Sequence, residues 1–316
     1  MHAQAAKKLV SELPKPYQGE QPVSSSSLDT LLSSVDTLLA EVEATMVRVL
    51  DGGQAAQKSA AHQAAAYHVA TGGQRIRARL ALHAARCMQL NTQDAVAIAS
   101  AVELIHNASL VHDDIQDGAL ERRGQQSVWA LHGTNVAICA GDLLLSAAYC
   151  ALATLANVQK MPLLLSLAHK CVSKLIQGQC AEVSASPVTP SIDEYEAVAA
   201  AKSGALLSLP FELVFTAAER LDHMRRAVEA ANSFALGYQI MDDIADVDSD
   251  IARAGHPLCA NAVLVLRASG AGNNAEHLAR VAGITHLITA AKMADTLPNG
   301  SGLLLKDMAL KLCGQP

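Results

Sequence analysis

The sequence predicts an all-α protein with a single domain, and three observations support this prediction. Hydrophobic residues make up 51% of the 316 residues, whereas aromatic residues make up only 3%. Ala and Leu recur throughout, and they lose little side-chain freedom in a helix, while strands favour β-branched and aromatic residues. From Leu28 onward apolar residues recur at three- and four-residue intervals, without lasting strand-like alternation. Because no repeat or long linker divides the chain, residues 28–316 are predicted to form one helical domain.

Local signals mark where several elements begin. Residues 1–27 hold three prolines and a run of four serines, which predicts a mobile N-terminal tail. Ser191 and Glu194 follow Pro190 with the spacing of a capping box, in which each residue bonds the other's backbone N–H. Asn91 stands directly before an apolar helical run and is predicted to be its N-cap.

The charge and the cysteines argue against some classes of protein. The formal net charge of −6 gives no support for a nucleic-acid partner, which favours a basic face. No signal peptide is recognisable, and the longest uncharged stretch, Leu143 to Gln159, is shorter than a usual membrane span. We interpret that stretch as a buried core helix. We therefore expect no membrane span. The cysteines lie scattered without a CxxC pair, so we expect neither a zinc site nor a disulfide framework, and a reduced, cytoplasmic location.

An acidic cluster ends the apolar segment HNASLVHDDIQDGALERRG at residues 106–124. Residues four apart share one helix face, so Asp113 and Asp117 project together with Asp114 beside them. Taken alone, such a cluster is most simply a solvated acidic helix end. The preceding run ELIHNASLV, however, is too apolar for an exposed helix.

A second acidic cluster repeats this pattern. The segment GYQIMDDIADVDSD at residues 237–250 follows another apolar run and carries Asp242, Asp243 and Asp246 at the same spacing. If the two clusters face each other, they form an oxygen-rich site for a hard divalent cation. Mg²⁺ suits this site because it binds through a few carboxylates together with substrate phosphates.

Basic residues that can bind such phosphates are also present. Arg122 and Arg123 follow the first cluster directly. The segment GGQRIRAR at residues 72–79 places arginines at a helix start opened by glycines, where backbone N–H and guanidinium groups bind anions. Lys202 lies alone in an apolar helix, and a lysine that snorkels to the surface is an equally good interpretation. Two acidic clusters, two basic clusters and an aliphatic interior together predict magnesium-dependent chemistry on prenyl diphosphates.

These motifs resemble those of the trans-isoprenyl diphosphate synthase (polyprenyl synthetase) family, in particular its geranylgeranyl and farnesyl diphosphate synthases. DDIQD followed by RRG is similar to the first aspartate-rich motif of the family, and YQIMDDIAD is similar to the second. Four further stretches match in the family order, namely GGQRIRA, AGDLLLSAA, the GQ of Gly178 and Gln179, and KSG. The resemblance runs from about Gly72 to Leu266. It implies a helical bundle of the isoprenoid synthase type around a deep central cavity, usually in a homodimer.

The resemblance also implies roles for individual residues. Asp113, Asp117 and Asp242 stand at the positions of the residues that bind Mg²⁺ in the family. The supporting aspartates match Asp114, Asp243 and Asp246. The contacts to an allylic diphosphate (dimethylallyl, geranyl or farnesyl) match Arg122, Lys202, Ser203 and Gln239. The contacts to isopentenyl diphosphate match Arg77, His106, Arg123 and, at the position of a family lysine, Gln74.

The chain departs from the family pattern in two places. Gln74 replaces the family lysine and Ala78 replaces the usual proline. A hydrogen bond from a charged lysine contributes about 1.5–3 kcal/mol, so we expect isopentenyl diphosphate to bind roughly ten- to a hundredfold more weakly. After the second aspartate motif the family often has lysines, whereas this chain reads VDSDIARAGHPLCANAV, in which Arg253 is the only cation nearby.

Two small residues precede the first aspartate motif. Ser109 and Ala108 stand four and five positions before Asp113, where relatives with shorter products tend to have an aromatic residue. Helical geometry points these side chains along the path of the growing product. By analogy with the family we expect a product of about twenty carbons or more.

Three alternatives remain open. A class I terpene cyclase shares the fold and the first motif, but its second motif usually mixes Asn, Ser and Glu, and its cavity is rich in aromatic residues. A squalene- or phytoene-type condensing enzyme has a different aspartate spacing. A non-catalytic regulatory subunit is disfavoured by the six retained aspartates, although the missing lysines are consistent with it.

Overall fold

The computed structural model describes residues 25–52, 58–183, 190–252 and 261–314, and most of these residues are helical. In chain order the α-helices of these ranges are α1 (Ser25–Leu50), α2 (Ala60–Ala70), α3 (Ile76–Cys87), α4 (Thr92–Gln116), α5 (Val128–His132), α6 (Thr134–Leu152), α7 (Met161–Val183), α8 (Ile192–Ala199), α9 (Ala205–Ala217), α10 (Met224–Ala252), α11 (Ala262–Leu266), α12 (Ala275–Asp295) and α13 (Leu303–Cys313). The prediction of an all-α architecture is therefore confirmed.

The helix starts follow the predicted caps. The side chain of Asn91 accepts from the N–H of Asp94 at 2.8 Å and begins α4. Ser191 and Glu194 form both bonds of the capping box at the start of α8. Helix α1 begins at Ser25, so the last three residues of the predicted tail 1–27 are helical, and its residues 1–24 lie outside the described residues.

A short β-hairpin stands between α4 and α5, and the sequence did not predict it. Strand β1 (Glu121–Arg122) pairs with antiparallel strand β2 (Gln125–Gln126). The two residues between them, Arg123 and Gly124, have φ values of 55° and 74°, which fit the type I′ turn that matches the twist of a hairpin. Strands of two residues are too short to show an alternating pattern, which explains the missed prediction.

Helix α4 runs through the centre of the bundle. Every residue from Asp94 to Ile105 is buried, as expected for a helix that is apolar on all sides. Its most extensive partner is α6, and α10 packs in the same way along α12. A Cβ atom at Gly237 of α10 would lie 2.9 Å from the carbonyl oxygen of Gly283 in α12. Glycine at 237 therefore allows the two helices to approach closely.

Three of the described helical segments are long and apolar enough to cross a membrane by length and composition alone. They are Thr92–Gln116, Thr134–Leu152 and Ile192–Ala217. In the most apolar 18 residues of each segment, 78%, 44% and 67% are buried inside the protein, in the same order. The predicted core helix Leu143–Gln159 is thus partly wrong. Helix α6 ends at Leu152, and much of its surface faces outward.

Candidate functional site

The first aspartate cluster occupies the last turn of α4. Asp113 is half-buried, Asp117 is exposed, and Asp114 is fully buried. One carboxylate oxygen of Asp114 accepts from Nε and Nη2 of Arg122 in the hairpin, at 2.9 and 2.5 Å. Burial raises the pKa of Asp114, and the bond from Arg122 opposes that shift. Asp114 therefore fixes the position of Arg122.

The second aspartate cluster also combines exposed carboxylates with one buried carboxylate. Asp242 and Asp246 of α10 are exposed, whereas Asp243 is buried. The carboxylate of Asp243 accepts from the hydroxyl of Tyr195 at 2.6 Å, from Nε2 of Gln239 at 2.9 Å and from the N–H of Ala262 at 2.7 Å. Burial raises the pKa of Asp243 to about 6, although the three hydrogen bonds favour the ionised carboxylate and lower the pKa. Asp243 therefore ties α8 and α11 to α10.

Asn261 strengthens the same connection and was missed by the sequence analysis. Its Nδ2 donates to the carbonyl oxygen of Asp243 at 2.7 Å and to Asp250 at 2.9 Å. Its Oδ1 accepts from the N–H groups of Val263 and Leu264 in the first turn of α11, as an N-cap. The predicted cation Arg253 lies outside the described residues.

The aspartates fit a hard divalent cation by the chemistry of their oxygen atoms. Burial raises the pKa of Asp242, and the neighbouring carboxylates of Asp246 and Asp250 raise it further. Such crowding of negative charge is relieved by a bound cation. Within the described ranges, no three acidic, histidine or cysteine side chains converge on one metal position.

Arg77 and His106 form the centre of the basic region. Nη1 of Arg77 in α3 lies 3.1 Å from Nε2 of His106 in α4. Burial, and after it the charge of Arg77, holds the pKa of His106 well below its usual value. The neutral imidazole therefore accepts from Arg77 through Nε2. Nε of Arg77 has no partner within the part of the chain that the structure describes.

Arg123 lies across the glycine turn before α3. It donates to the carbonyl oxygen of Gly72, and its Nη1 lies 3.3 Å from the hydroxyl oxygen of Thr71. A Cβ atom at Gly73 would stand 2.8 Å from Cζ of Arg123, and Gly73 has a φ of 126°. Only glycine combines this backbone conformation with such close contact. The hairpin thus packs its second arginine on the turn that leads into α3.

A buried ion pair supports the same turn and was missed by the sequence analysis. Nη1 of Arg75 lies 3.5 Å from Glu103 of α4, and both side chains are nearly inaccessible, while Nε of Arg75 lies 3.3 Å from the half-exposed Glu43. Glu103 also accepts from the N–H of Ala78 at 3.3 Å. A proline at position 78 has no N–H to donate. Ala78 in place of the family proline therefore preserves a bond to Glu103.

Gln74 and His68, near the same turn in the chain, differ in exposure. Gln74 is exposed, and its carbonyl oxygen accepts from Nε of Arg79 at 3.2 Å. His68 of α2 is buried, and burial together with the charges of Arg123 and Arg122 lowers its pKa to about 3. His68 was also missed, because a single histidine in an apolar helix carries no pattern.

Lys202 and Ser203 lie in a π-helical segment, Ala200–Gly204, that joins α8 to α9. The hydroxyl of Ser203 lies 3.4 Å from Oε1 of Gln239, which in turn bonds Asp243. The sequence predicted a regular helix here. π-Helical turns occur frequently at functional sites, because they displace side chains from the regular helical positions.

The two residues predicted to control product length lie one turn before Asp113. Ala108 is buried, and the hydroxyl of Ser109 donates to the carbonyl oxygen of His106 at 2.9 Å. A cavity of about 440 Å³ lies elsewhere, between α1 and the start of α4, and is lined by Glu41 and Arg48. The deep central cavity below the aspartates stays a prediction.

Comparison with solved structures identifies the fold. The geranylgeranyl pyrophosphate synthetase from the archaeon Geoglobus acetivorans superimposes with a TM-score of 0.79 and 20% sequence identity, covering 93% of this chain and 100% of that one. At this identity the likeness shows the fold, which is the all-α fold of isoprenoid synthases.

Comparison of sequences gives the family. Residues 58–263 match the family described as polyprenyl synthetase, and the chain belongs to this family. A short chain isoprenyl diphosphate synthase from Methanocaldococcus jannaschii is 33% identical over 188 residues, or 59% of this chain and 58% of that protein. A nonaprenyl diphosphate synthase from Mycobacterium tuberculosis is 35% identical over 193 residues, or 58% of this chain and 54% of that protein. The match thus spans little more than half of each relative.

Proposed function

We propose that the protein is a polyprenyl diphosphate synthase, a prenyltransferase that condenses isopentenyl diphosphate with an allylic diphosphate and releases diphosphate. The observation that best supports this proposal is the position of Arg77 between α4 and α10. It bonds His106, about two turns before the first aspartates, and its charge acts on Tyr238, one turn before the second. The two sequence relatives described above are both prenyl diphosphate synthases.

We propose Mg²⁺ as the cofactor, held by Asp113, Asp117 and Asp242, with Asp246 in support. When bound, the ion stabilises negative charge on the diphosphate leaving group. In this proposal Asp114 and Asp243 do not bind the ion directly. Their carboxylates are engaged by Arg122 and by Tyr195, so they hold the surrounding residues in place.

The remaining site residues divide between the two substrates. Arg122 and Lys202, with Ser203 and Gln239 beside them, bind the allylic diphosphate and stabilise the charge that develops as its carbon–oxygen bond breaks. A second group binds isopentenyl diphosphate and comprises Arg77, His106 and Arg123. The double bond of isopentenyl diphosphate attacks the allylic carbon, and loss of a proton from the same unit restores a double bond. The product is one isoprene unit longer, and no protein nucleophile takes part.

A product assay tests this function. The purified protein is incubated with Mg²⁺, labelled isopentenyl diphosphate and, in turn, dimethylallyl, geranyl or farnesyl diphosphate, and the dephosphorylated products are separated. Elongated prenyl alcohols are the expected result. A hydrocarbon formed from a single allylic substrate, with no label incorporated, would identify a terpene cyclase. Absence of any turnover would favour a regulatory subunit that needs a catalytic partner.

The exchange Gln74→Lys is expected to tighten binding of isopentenyl diphosphate. A charge-assisted hydrogen bond adds about 1.5–3 kcal/mol, so KM for this substrate should fall roughly ten- to a hundredfold. Steady-state kinetics at saturating allylic substrate measure the change. Gln63→Lys, which adds the same charge at an exposed position of α2, serves as the control. An equal effect of both exchanges would show a general attraction of anions and contradict the assigned contact.

We propose a product of about twenty carbons, because Ala108 and Ser109 leave room beside the first aspartate motif. Ala108→Phe is expected to shorten the product, since the added ring occupies the path of the growing chain. Chromatography of the dephosphorylated products measures this, and Ser109→Ala, which keeps the space open, is expected to leave the length unchanged. An unchanged product from a folded Ala108→Phe variant would contradict this position for the cavity floor.

We also propose that the protein is a cytoplasmic homodimer. Helix α6 supports the dimer, because it is strongly apolar yet leaves Ile138, Cys139 and Cys150 exposed along its outer face. Asp142 is also exposed on this face, so the proposed interface is apolar with a polar residue within it. The scattered cysteines without CxxC pairs support a reduced compartment.

A further inference from the structure

One face of α10 is exposed although the rest of the helix is packed. Tyr238, Asp242 and Asp246 are exposed and follow one another at intervals of four residues, so they share a face. Gly237 and Ile240 lie on another face, in contact with α12. Tyr238 therefore stands one turn before Asp242 on the surface that carries the proposed magnesium ligands.

The charges that act on Tyr238 connect this surface with the basic region around Arg77. The charge of Asp242 and, in the opposite direction, that of Arg77 act on the Tyr238 hydroxyl, whose pKa is raised mainly by burial. Arg77 belongs to α3 and bonds His106 of α4. The hydroxyl of Tyr238 thus lies within electrostatic reach of Asp242, a proposed ligand of Mg²⁺, and of Arg77, a proposed contact of isopentenyl diphosphate.

The ring and the hydroxyl of Tyr238 have different environments. The ring packs on buried Phe234, with 6.2 Å between the ring centroids. In the described part of the chain the hydroxyl has no hydrogen-bond partner, in contrast to Tyr195 and Tyr67, which bond Asp243 and the carbonyl oxygen of Gln126. Packing on Phe234 needs only a phenyl ring. The hydroxyl is therefore available to a ligand.

We propose that Tyr238 binds isopentenyl diphosphate, with its O–H donating to the diphosphate that Arg77 holds, beside the allylic diphosphate at Asp242. This assignment rests on the proposed function. A neutral donor is suited to this position, because a second cation next to Arg77 would repel it and a carboxylate would repel the diphosphate. The donor also fixes the orientation of the isopentenyl unit relative to the allylic carbon.

Binding measured by calorimetry tests the assignment. Isopentenyl diphosphate and geranyl diphosphate are each titrated alone, in Mg²⁺ buffer, into the wild type and the Tyr238→Phe variant. Without the second substrate no condensation occurs. We expect Kd for isopentenyl diphosphate to rise about tenfold in the variant, and Kd for geranyl diphosphate to change less than about twofold. Tyr238→Phe retains the ring on Phe234, so the variant should fold.

Tyr149→Phe is the matched control, since it removes a tyrosine hydroxyl from α6 whose pKa is shifted by burial and by Cys171 rather than by a site residue. It should bind both substrates as the wild type does. Equal affinity of wild type and Tyr238→Phe for isopentenyl diphosphate, or equal weakening for both substrates, would overturn the assignment alone. A wild type that binds neither diphosphate would overturn the proposed function as well.

Discussion

Asp242→Asn should lower kcat by about 10²–10³-fold without destabilising the protein. The exchange removes a proposed ligand of Mg²⁺ and so weakens the stabilisation of charge on the leaving diphosphate. The same exchange is not expected to lower the free energy of unfolding. The pKa of Asp242 is raised by burial and by Asp246 and Asp250, so its ionised form is disfavoured in the folded state. Replacing it with a neutral residue therefore leaves the free energy of unfolding unchanged or increases it.

Kinetics of condensation and thermal unfolding of the same samples check this prediction. Asp248→Asn is the control, because Asp248 is exposed on the same helix and lies outside the motif. It should retain kcat within about twofold, since exposed substitutions away from a site have small effects. Comparable losses in both variants, or a lower Tm for Asp242→Asn with full activity, would contradict the assignment of Asp242 as a metal ligand.

Glu103→Gln should lower the free energy of unfolding by about 3–5 kcal/mol, because it leaves the charge of Arg75 buried without its enclosed partner. Arg75 and Glu103 are 3% and 2% exposed, and their side chains approach to 3.5 Å. The amide nitrogen of glutamine also faces the N–H of Ala78 or the guanidinium group, neither of which can accept a hydrogen bond. A protein of ordinary stability, about 5–15 kcal/mol, would lose a large part of it.

Urea unfolding of Glu103→Gln and Glu43→Gln distinguishes burial from simple charge pairing. Glu43 also contacts Arg75, at 3.3 Å, but is 50% exposed. An exposed ion pair contributes at most about 1 kcal/mol, so Glu43→Gln should have a small effect. If the two variants were equally destabilised, the enclosed position of Glu103 would not be the source of the stability.

The sequence was sufficient where a local rule determines the structure. Asn91 and the pair Ser191 and Glu194 cap their helices as predicted, because capping depends on residues three positions apart. The four-residue spacing of Asp113 and Asp117 placed them correctly on one helix face, and the same rule holds for Asp242 and Asp246.

The sequence was insufficient where partners are far apart in the chain. The sequence did not indicate the partners of Asp243, which are Tyr195 and Ala262 and lie 48 and 19 positions away. The pair of Arg75 and Glu103 likewise depends on how α3 and α4 meet. No periodic pattern records such contacts, since they arise from the packing of complete helices.

The contact between Arg123 and Gly73 has a consequence for how the sequence can change over time. The two residues belong to separate elements, a hairpin after α4 and a turn before α3, yet each limits the other. A side chain at position 73 would displace the guanidinium group, and a different residue at position 123 would remove the donor to the carbonyl oxygen of Gly72. A substitution at position 73 therefore meets two separate obstacles, the positive-φ backbone and the guanidinium group, and loss of Arg123 would lift only the second.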